Sequence, residues 1–463
     1  MSLKKDFPIF KNNPGLVFLD STASSQKPAF VIDGIKDFLE NDYSNIHRGS
    51  YVLSERSENV YENSKKKVAS FINADYWREV VYTYNSNYAL NFIAGSLRKS
   101  EILKKGDKVL VSIVEHHANI VPWLILIDEI GIELEYINVD KDYNLDLEDL
   151  KAKLDDKVKV VSITQVSNVT GQIFDLEEVG RIIEEFRNKK DENLQNRHPE
   201  FISGSIMQGN YSKHSIKDSE TSSEGQPSKI QGRFPSSREG QFSFPLFIID
   251  ASQSFPHFKV DVKKLNCDMI FFTAHKIMAD SGLGVWWAKK EILDKLKPVF
   301  SGGGAIAWVK KFEYKENTSL PDKFELGTPN ITGALSLLKA LEYVESIGGY
   351  EEVEKIEKEL VSYTVKKWLE IKDKYDIRIL GSLEEGSRVG VFSFIVPGIH
   401  SIDLSDMLAE DNICIRAGQH CAEPFLQSES CSHTCRMSLY IYNDKEDIDR
   451  FFEALEKAIN VLK

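Results

Sequence analysis

Cysteine is scarce in this sequence, with five residues in a chain of 463. An odd number of thiols scattered over so long a chain argues against a disulfide framework and favours a reducing compartment. Met1 to Phe10 lacks the apolar stretch of a secretory signal, and no later apolar run approaches the roughly 20 residues that cross a bilayer. We therefore expect a cytoplasmic protein with no membrane partner.

Positive charge is also in short supply, because 58 Lys and Arg residues stand against 71 Asp and Glu residues. The resulting net charge of −13 repels a phosphate backbone, so we expect no nucleic-acid partner. Hydrophobic residues make up 42% of the chain and charged residues 28%, a balance typical of globular proteins that bury a core.

Apolar, β-rich runs alternate with amphipathic helical stretches over most of the first 300 residues. After an opening strand at Val17 to Asp20, the predicted strands are Glu79 to Tyr82, Lys108 to Val111, Glu133 to Ile137, Val158 to Ile163, Leu246 to Asp250, Met269 to Thr273 and Gly284 to Trp287. Several of these runs are continuously apolar, which is typical of strands covered on both faces. The pattern predicts an α/β fold with a mostly parallel central sheet and helices on both faces.

The pattern changes near residue 331, where a smaller α+β domain is predicted. Its predicted elements are a helical segment from Ile331, helices at Tyr350 to Lys374 and Glu446 to Leu462, and strands at Ile377 to Leu380, Val389 to Val396 and Ile413 to Arg416. A chain of this length is expected to hold one large domain and one smaller domain linked to it.

We assign three regions on this basis. Residues 1–30 form a segment that joins the small domain, residues 31–300 form the large domain, and residues 301–463 form interface helices and the small domain. Residues 189–241 are rich in Ser, Gly, Gln, Asn and Lys and have little periodicity. This composition predicts a disordered insertion in the large domain.

Polar residues follow two of the predicted strands. Asp250 ends one of them, and Thr273, His275 and Lys276 come at the end of the next. In an open parallel sheet the ligand site lies at the carboxyl ends of the strands. A lysine there can condense with an aldehyde cofactor if burial keeps part of it deprotonated. Pyridoxal phosphate (PLP) is such an aldehyde, and an acid beneath its pyridine nitrogen makes it a better electron sink. Together the two clusters indicate PLP, with Lys276 as its anchor and Asp250 as the acid.

Further motifs run along nearly the whole chain. They are Leu19-Asp20, Ser25-Gln26-Lys27-Pro28, Ile46-His47-Arg48-Gly49, Glu115-His116-His117-Ala118-Asn119-Ile120-Val121-Pro122-Trp123, Ser167-Asn168-Val169-Thr170-Gly171, Gly327-Thr328-Pro329-Asn330 and Arg416-Ala417-Gly418-Gln419-His420-Cys421. With the lysine strand end, they resemble the class V aminotransferase-fold cysteine desulfurases, in the SufS-type, NifS-like group. The resemblance implies PLP fold type I, L-cysteine as substrate, a homodimer, and a sulfur acceptor or scaffold protein of iron-sulfur cluster assembly.

The resemblance also assigns roles around the cofactor. His116 would stack on the cofactor ring and move protons, because an imidazole changes protonation near neutral pH. The other implied cofactor contacts are Gln253 to the ring oxygen, Thr273, His275, Ser86 and Asn87 to the phosphate, and Thr328 to the phosphate of the other subunit.

Substrate contacts are implied in the same way. Arg436 would grip the substrate carboxylate, a task suited to a planar bidentate donor, and Asn168 would assist it. The remaining implied substrate contacts are Ala23, His47 and Arg416. Cys421 would attack the substrate sulfur as a thiolate and retain it as a persulfide, with His420 and Arg416 supplying positive charge nearby.

The sequence departs from the family pattern at the phosphate loop. Relatives carry Gly-Thr-Thr-Glu where this chain has Asn85-Ser86-Asn87-Tyr88, although a helix N-terminus and the Ser86 hydroxyl can still hold a phosphate. Two alternatives therefore stay open: a selenocysteine lyase or other class V PLP enzyme, and a non-catalytic scaffold homologue. Cys431, His433 and Cys435 fall short of four zinc ligands, so we predict no metal.

Overall fold

The computed structural model describes residues 3–47, 49–197 and 243–463, with the side chains of residues 191–197 excepted. It divides into two compact units, residues 1–183 with 244–463 and residues 184–243, and every residue discussed as part of the site belongs to the first. The helices are α1 (Pro8–Asn12), α2 (Ala29–Asn41), α3 (Val52–Phe71), α4 (Ser86–Lys99), α5 (Val121–Ile130), α6 (Leu147–Lys153), α7 (Leu176–Arg197), α8 (Lys290–Lys295), α9 (Ile331–Ser346), α10 (Gly349–Tyr375), α11 (Ser401–Glu410), α12 (Glu423–Ser428) and α13 (Lys445–Leu462). No helix of the described ranges is long and apolar enough to cross a bilayer.

A seven-stranded sheet forms the centre of the first unit. The strands of the structure are β1 (Val17–Phe18), β2 (Val80–Thr83), β3 (Lys108–Ser112), β4 (Glu133–Ile137), β5 (Val158–Thr164), β6 (Leu246–Asp250), β7 (Met269–Thr273), β8 (Gly284–Ala288), β9 (Ile306–Val309), β10 (Tyr314–Glu316), β11 (Arg378–Leu380), β12 (Val391–Ile395), β13 (Ile413–Cys414), β14 (Arg416–Gly418) and β15 (Thr434–Ser438). The central order is β2-β8-β7-β6-β5-β3-β4, and β8 runs antiparallel to both of its neighbours while β3 to β7 are parallel. The prediction of a mostly parallel α/β sheet is confirmed.

The second sheet is smaller and entirely antiparallel, in the order β11-β12-β15-β14. Its core is a separate aromatic cluster that includes Trp368 of α10, Phe394 of β12 and Phe451 and Phe452 of α13, all of them buried. Strand β15 was not predicted, because its Thr-Cys-Arg-Met-Ser sequence lacks a continuous apolar run. It nevertheless lies between two other strands, so Arg436 is buried rather than exposed.

Helical structure extends into the segment that was predicted to be disordered. Helix α7 continues to Arg197, so residues 189–197 are helical and the prediction that structure is lost from residue 189 is wrong there. The reason is composition: this segment is polar but contains Lys, Glu, Leu, Gln and Arg, which favour helix. Residues 198–241 lie outside the described part of the chain, and the domain boundaries stay a prediction.

Gly171 fixes the loop that follows β5 against the small sheet. Its φ is +73°, a left-handed conformation that favours glycine, and an added Cβ would lie 2.6 Å from the Val391 carbonyl oxygen of β12. The Val389 N–H donates to the Gly171 carbonyl at 2.9 Å. This close approach sets the position of Asn168, three residues earlier in the same loop.

Candidate active site

Asp250 and Lys276 come together because β6 and β7 are parallel neighbours. Asp250 ends β6, and Lys276 ends a short 3-10 turn that directly follows β7. The Asp250 carboxylate is 4% exposed and accepts from the Ser252 N–H at 2.8 Å. Asp250 and Lys276 are close enough for the charge of each to shift the pKa of the other. The amine and the carboxylate therefore lie near each other at the same edge of the sheet, and their roles toward a cofactor stay predictions.

The pKa of Lys276 is lowered to about 8, chiefly because burial disfavours its ammonium form. The charges of Asp250 and Cys421 raise the pKa of Lys276, and the charge of Arg436 lowers it further. Burial also raises the pKa of Asp250, against its hydrogen bonds with Ser252 and the charge of Lys276. The site thus keeps a lysine that is partly neutral near pH 8, which is what condensation with an aldehyde requires.

His116 lies on the loop after β3, and its neighbour Glu115 fixes that loop to β5. The fully buried Glu115 carboxylate accepts from the Thr164 N–H and from Asn119 Nδ2, both at 2.8 Å. Burial raises the pKa of Glu115 to about 8. The sequence analysis named Glu115 only as part of a motif. The run of polar residues that follows a buried strand is the signal that could have indicated its role in fixing this loop to β5.

The His116 imidazole is neutral at working pH. Burial, reinforced by the charge of Lys276, lowers its pKa to about 3, so the expectation that it titrates near neutral pH is wrong. Its Nδ1 accepts from the Ala118 N–H at 3.0 Å. A neutral ring that accepts at Nδ1 carries its hydrogen on Nε2, and that N–H is the group available for donation.

Cys421 is exposed and lies on the turn between β14 and α12. The His117 N–H donates to the Cys421 carbonyl at 2.8 Å, and Asn168 Nδ2 donates to the His420 carbonyl at 2.8 Å. Loops after β3 and β5 therefore hold the backbone of this turn from the side of the central sheet. The backbone of the cysteine turn, the loop that carries His116, and Asn168 therefore meet although they come from three distant parts of the chain.

The positive charge around Cys421 does not come from His420, contrary to the sequence-based expectation. Burial lowers the pKa of His420 to about 2, and its Nε2 lies 2.8 Å from the Thr434 hydroxyl, so the ring is neutral and points into the protein. Lys276, Arg416 and Arg436 each interact electrostatically with the Cys421 sulfur. The positive charge that this sulfur meets therefore comes from one amine and two guanidinium groups.

Arg436 is 3% exposed and reaches the site from β15. One of its Nη atoms donates to the Asn168 carbonyl at 3.0 Å, and the other approaches Asp20 Oδ1 at 3.4 Å. Arg416 donates to the same carboxylate, at 2.8 Å to Oδ2. Sequence reasoning missed this role of Asp20, which holds two arginines; its place at the end of a predicted strand was the available signal.

The turn after Asp20 connects Arg416 and Arg436 to the 3-10 turn that carries Lys276. The Ala23 N–H donates to the Asp20 carbonyl at 3.1 Å, and the Ser25 N–H donates to the His275 carbonyl at 3.1 Å. Gln253 Nε2 donates to the Thr22 carbonyl at 3.1 Å. Ala23, Gln253 and His275 therefore belong to one connected wall beside Lys276.

Several buried polar atoms of this wall have no hydrogen-bond partner within the described ranges. They are the hydroxyl oxygens of Thr22, Ser252 and Thr273 and the Nε of Arg436. Buried polar groups are normally paired, so a cluster of unpaired ones beside a lysine of lowered pKa fits a polar ligand. Hydroxyl and guanidinium groups suit the phosphate of PLP and the carboxylate of an amino acid.

Ser86, Asn87, Thr328 and His47 lie farther out, on the surface of the chain. Ser86 is half-buried and the other three are exposed, with Ser86 and Asn87 in the first turn of α4. The Asn85 side chain caps this helix by accepting from the Tyr88 N–H at 2.9 Å. Thr328 lines a cavity of about 530 Å³ with Tyr84 and Asn330. The described contacts do not join these four residues to Lys276, and their assigned roles stay predictions.

Comparisons with known proteins identify the family of the chain. The model of the family described as "Aminotransferase class-V" matches residues 17–189 and 244–451. The chain belongs to this family, and its members use pyridoxal phosphate.

Within the family, the chain is similar to cysteine desulfurases. It is 33% identical to a probable cysteine desulfurase of Synechocystis sp. over 99% of this chain and 95% of the relative, and 33% identical to one of Halalkalibacterium halodurans over 98% and 97%. Among solved structures, the apo cysteine desulfurase of Thermococcus onnurineus superposes with a TM-score of 0.81 at 30% identity, covering 99% of this chain and 98% of that one. The cysteine desulfurase CsdA of Escherichia coli gives 0.79 at 26% identity over 99% and 98%.

Proposed function

We propose that this protein is a PLP-dependent cysteine desulfurase that converts L-cysteine to L-alanine and retains the sulfur as a persulfide on Cys421. One observation carries the proposal: the Lys276 amine is close enough to Asp250, Arg436 and Cys421 for all three to influence its pKa. A cofactor anchor, a ring acid, a carboxylate-binding cation and a nucleophile are the four groups that the reaction needs. Their convergence supports catalysis rather than a scaffold role.

The residues that would hold the cofactor are those of the wall beside Lys276. Lys276 would bind its aldehyde covalently, Asp250 would pair with the ring nitrogen, and the Thr273 hydroxyl and His275 would hold the phosphate. When bound, the cofactor supplies an electron sink for the substrate carbon atoms. His116 presents an Nε2–H in this pocket, so it would donate a hydrogen bond rather than accept a proton.

Arg436 would bind the carboxylate of cysteine and so orient its side chain. The thiolate of Cys421 then attacks the substrate sulfur: an S–S bond forms, the substrate Cβ–S bond breaks, and its electron pair stays with the substrate carbon. That carbon takes up a proton and the product leaves as alanine. Arg416, Arg436 and Lys276 interact electrostatically with the Cys421 sulfur from which the step begins.

The most direct test is the reaction itself. The purified, cofactor-loaded protein supplied with L-cysteine and a thiol reductant is expected to release alanine and sulfide in equal amounts. A preference for L-selenocysteine in a parallel assay would favour a selenocysteine lyase. Absence of product with both substrates, together with absence of visible absorbance, would favour the scaffold alternative.

Cofactor capture is expected to depend on pH through Lys276. Only its neutral amine condenses with an aldehyde, and with a pKa of about 8 the neutral fraction rises as pH rises. The rate of PLP uptake by cofactor-free protein should therefore rise about tenfold per pH unit below pH 8 and level off above it. Stopped-flow absorbance at a series of pH values measures this, and a rate that is flat from pH 6 to 9 would contradict the low pKa.

Arg436→Lys is expected to weaken the binding of cysteine selectively. Lysine keeps the charge but loses the planar pair of donors, so KM for cysteine should rise by roughly 10- to 100-fold while cofactor absorbance persists. Steady-state kinetics measure the change, and Arg450→Lys on α13 serves as the matched control with unchanged KM. An unchanged KM in Arg436→Lys would remove this residue from the substrate site.

We also propose a cytoplasmic homodimer that passes its sulfur to an acceptor or scaffold protein of iron-sulfur cluster assembly. The β9–β10 hairpin supports the dimer, since Phe312 is 89% exposed at its tip and Val309 and Tyr314 are exposed beside it. Large apolar side chains grouped on a surface are typical of protein interfaces. Light scattering should give twice the monomer mass, and a monomer at working concentration would contradict the assignment of Thr328 to a neighbouring phosphate.

A further inference from the structure

The turn that carries Cys421 holds an unfavourable backbone conformation. We call residues 418–422 the cysteine loop. His420 and Cys421 have φ values of +54° and +55°, and Gly418 has +131°. Two successive non-glycine residues in the left-handed region cost free energy, and such a conformation persists only where surrounding contacts impose it. The contacts that impose it therefore decide where the sulfur lies.

One internal hydrogen bond closes the loop, from the Ala422 N–H to the Gln419 carbonyl at 3.1 Å. Two others come from the central-sheet side: Asn168 Nδ2 donates to the His420 carbonyl, and the His117 N–H donates to the Cys421 carbonyl, each at 2.8 Å. The second bond directly joins the loop after β3 to the residue that bears the thiol.

His117 makes a second connection to the same region. Its Nε2 contacts Oε2 of Glu423, the first residue of α12 and two residues beyond Cys421. The imidazole is 36% exposed and the carboxylate 30% exposed, so neither belongs to the hydrophobic core. His117 thus bonds to the cysteine loop through its backbone N–H and contacts the first residue after that loop through its side chain.

We infer that His117 and Glu423 are positioning residues that clamp the cysteine loop to the loop carrying His116, and thereby fix the Cys421 sulfur for sulfur transfer. This inference rests on the proposed function. Because His116 and His117 are adjacent, the clamp sets the thiol relative to the imidazole of the cofactor pocket. A displacement of the nucleophile by even 1 Å slows a reaction that depends on exact alignment.

A half-exposed contact between an imidazole and a carboxylate normally contributes little to stability, so the test must report position rather than unfolding. The variants are Glu423→Gln, His117→Ala and the double variant. The matched control is Glu429→Gln, which removes a carboxylate from the other end of the same short helix, where Glu429 pairs with Arg378. All four are compared with the unaltered full-length protein.

The first readout is hydrogen–deuterium exchange of the residue 117 amide in cofactor-free protein, which follows the bond to the Cys421 carbonyl without any catalysis. Exchange should accelerate about fivefold in either single variant, no further in the double variant, and not at all in Glu429→Gln. Unchanged exchange in Glu423→Gln, or effects of the two single variants that simply add, would overturn the clamp.

The second readout is the rate of persulfide formation on Cys421 in a single turnover of cofactor-loaded protein. It should fall about fivefold in Glu423→Gln, with cofactor absorbance and KM for cysteine unchanged. An unchanged single-turnover rate would also overturn the inference. If the unaltered protein formed no persulfide, the proposed function would fail. The exchange measurement would still test the clamp, because it does not depend on catalysis.

Discussion

Replacing Lys276 with alanine is expected to give a folded protein that holds no cofactor covalently and turns over cysteine more slowly by on the order of a thousandfold or more. The amine interacts electrostatically with both Asp250 and Cys421, and its pKa of about 8 suits it to condensation with an aldehyde. Alanine removes the amine without adding bulk. Asp250 then faces a site that has lost its cation.

Visible absorbance of the purified variant, before and after borohydride reduction, measures this directly. Lys289→Ala is the matched control, since Lys289 pairs with Asp268 at the opposite end of β7. The Lys289→Ala control should keep the visible absorbance band, and borohydride should still couple the cofactor to its chain. A Lys276→Ala protein in which borohydride still couples the cofactor to the chain would contradict the assignment of the anchor.

Cys421→Ser is expected to separate cofactor binding from sulfur transfer. The hydroxyl is nearly isosteric with the thiol but is a far weaker nucleophile near neutral pH, so turnover should fall at least about a hundredfold. Cofactor absorbance and its response to added cysteine should persist, because Cys421 is not among the residues that would bind the cofactor. Alanine release and absorbance, measured on the same sample, check both halves of the prediction.

Cys431→Ser is the matched control for that variant. Cys431 lies just beyond α12 and is half-buried, and burial raises the pKa of its thiol although the charge of Arg378 acts in the opposite direction. Its replacement should leave turnover near the unaltered level. Desulfuration that survives in Cys421→Ser and disappears in Cys431→Ser would show that Cys431, and not Cys421, is the nucleophile.

The central sheet and the lysine site could be predicted because their signals are local. Continuous apolar runs mark buried strands, and the polar residues that end β6 and β7 fall at one edge of a parallel sheet. Asp250 and Lys276 needed only that rule to be placed together. The resemblance to a known family then added residues such as Arg436 and Cys421, which lie far away in the sequence.

Features that depend on burial could not be predicted in the same way. Histidine in a sequence carries no sign of its surroundings, so His116 and His420 were expected to titrate or carry charge, while burial beside cations keeps both neutral. The burial of Arg436 could not be predicted either, because its strand is polar in sequence. The pairing of Asp20 with two arginines arises from the packing of segments that are 396 and 416 residues apart.

The central claim is that a sulfur atom leaves cysteine and becomes bonded to Cys421. Mass spectrometry of the Cys421 peptide after a single turnover, with the persulfide trapped by an alkylating reagent, tests it most directly. The account predicts one additional sulfur atom on this peptide, formed in step with alanine and absent from the peptides of the other four cysteines. Alanine formation without that sulfur on Cys421, or with it on another cysteine, would contradict the account.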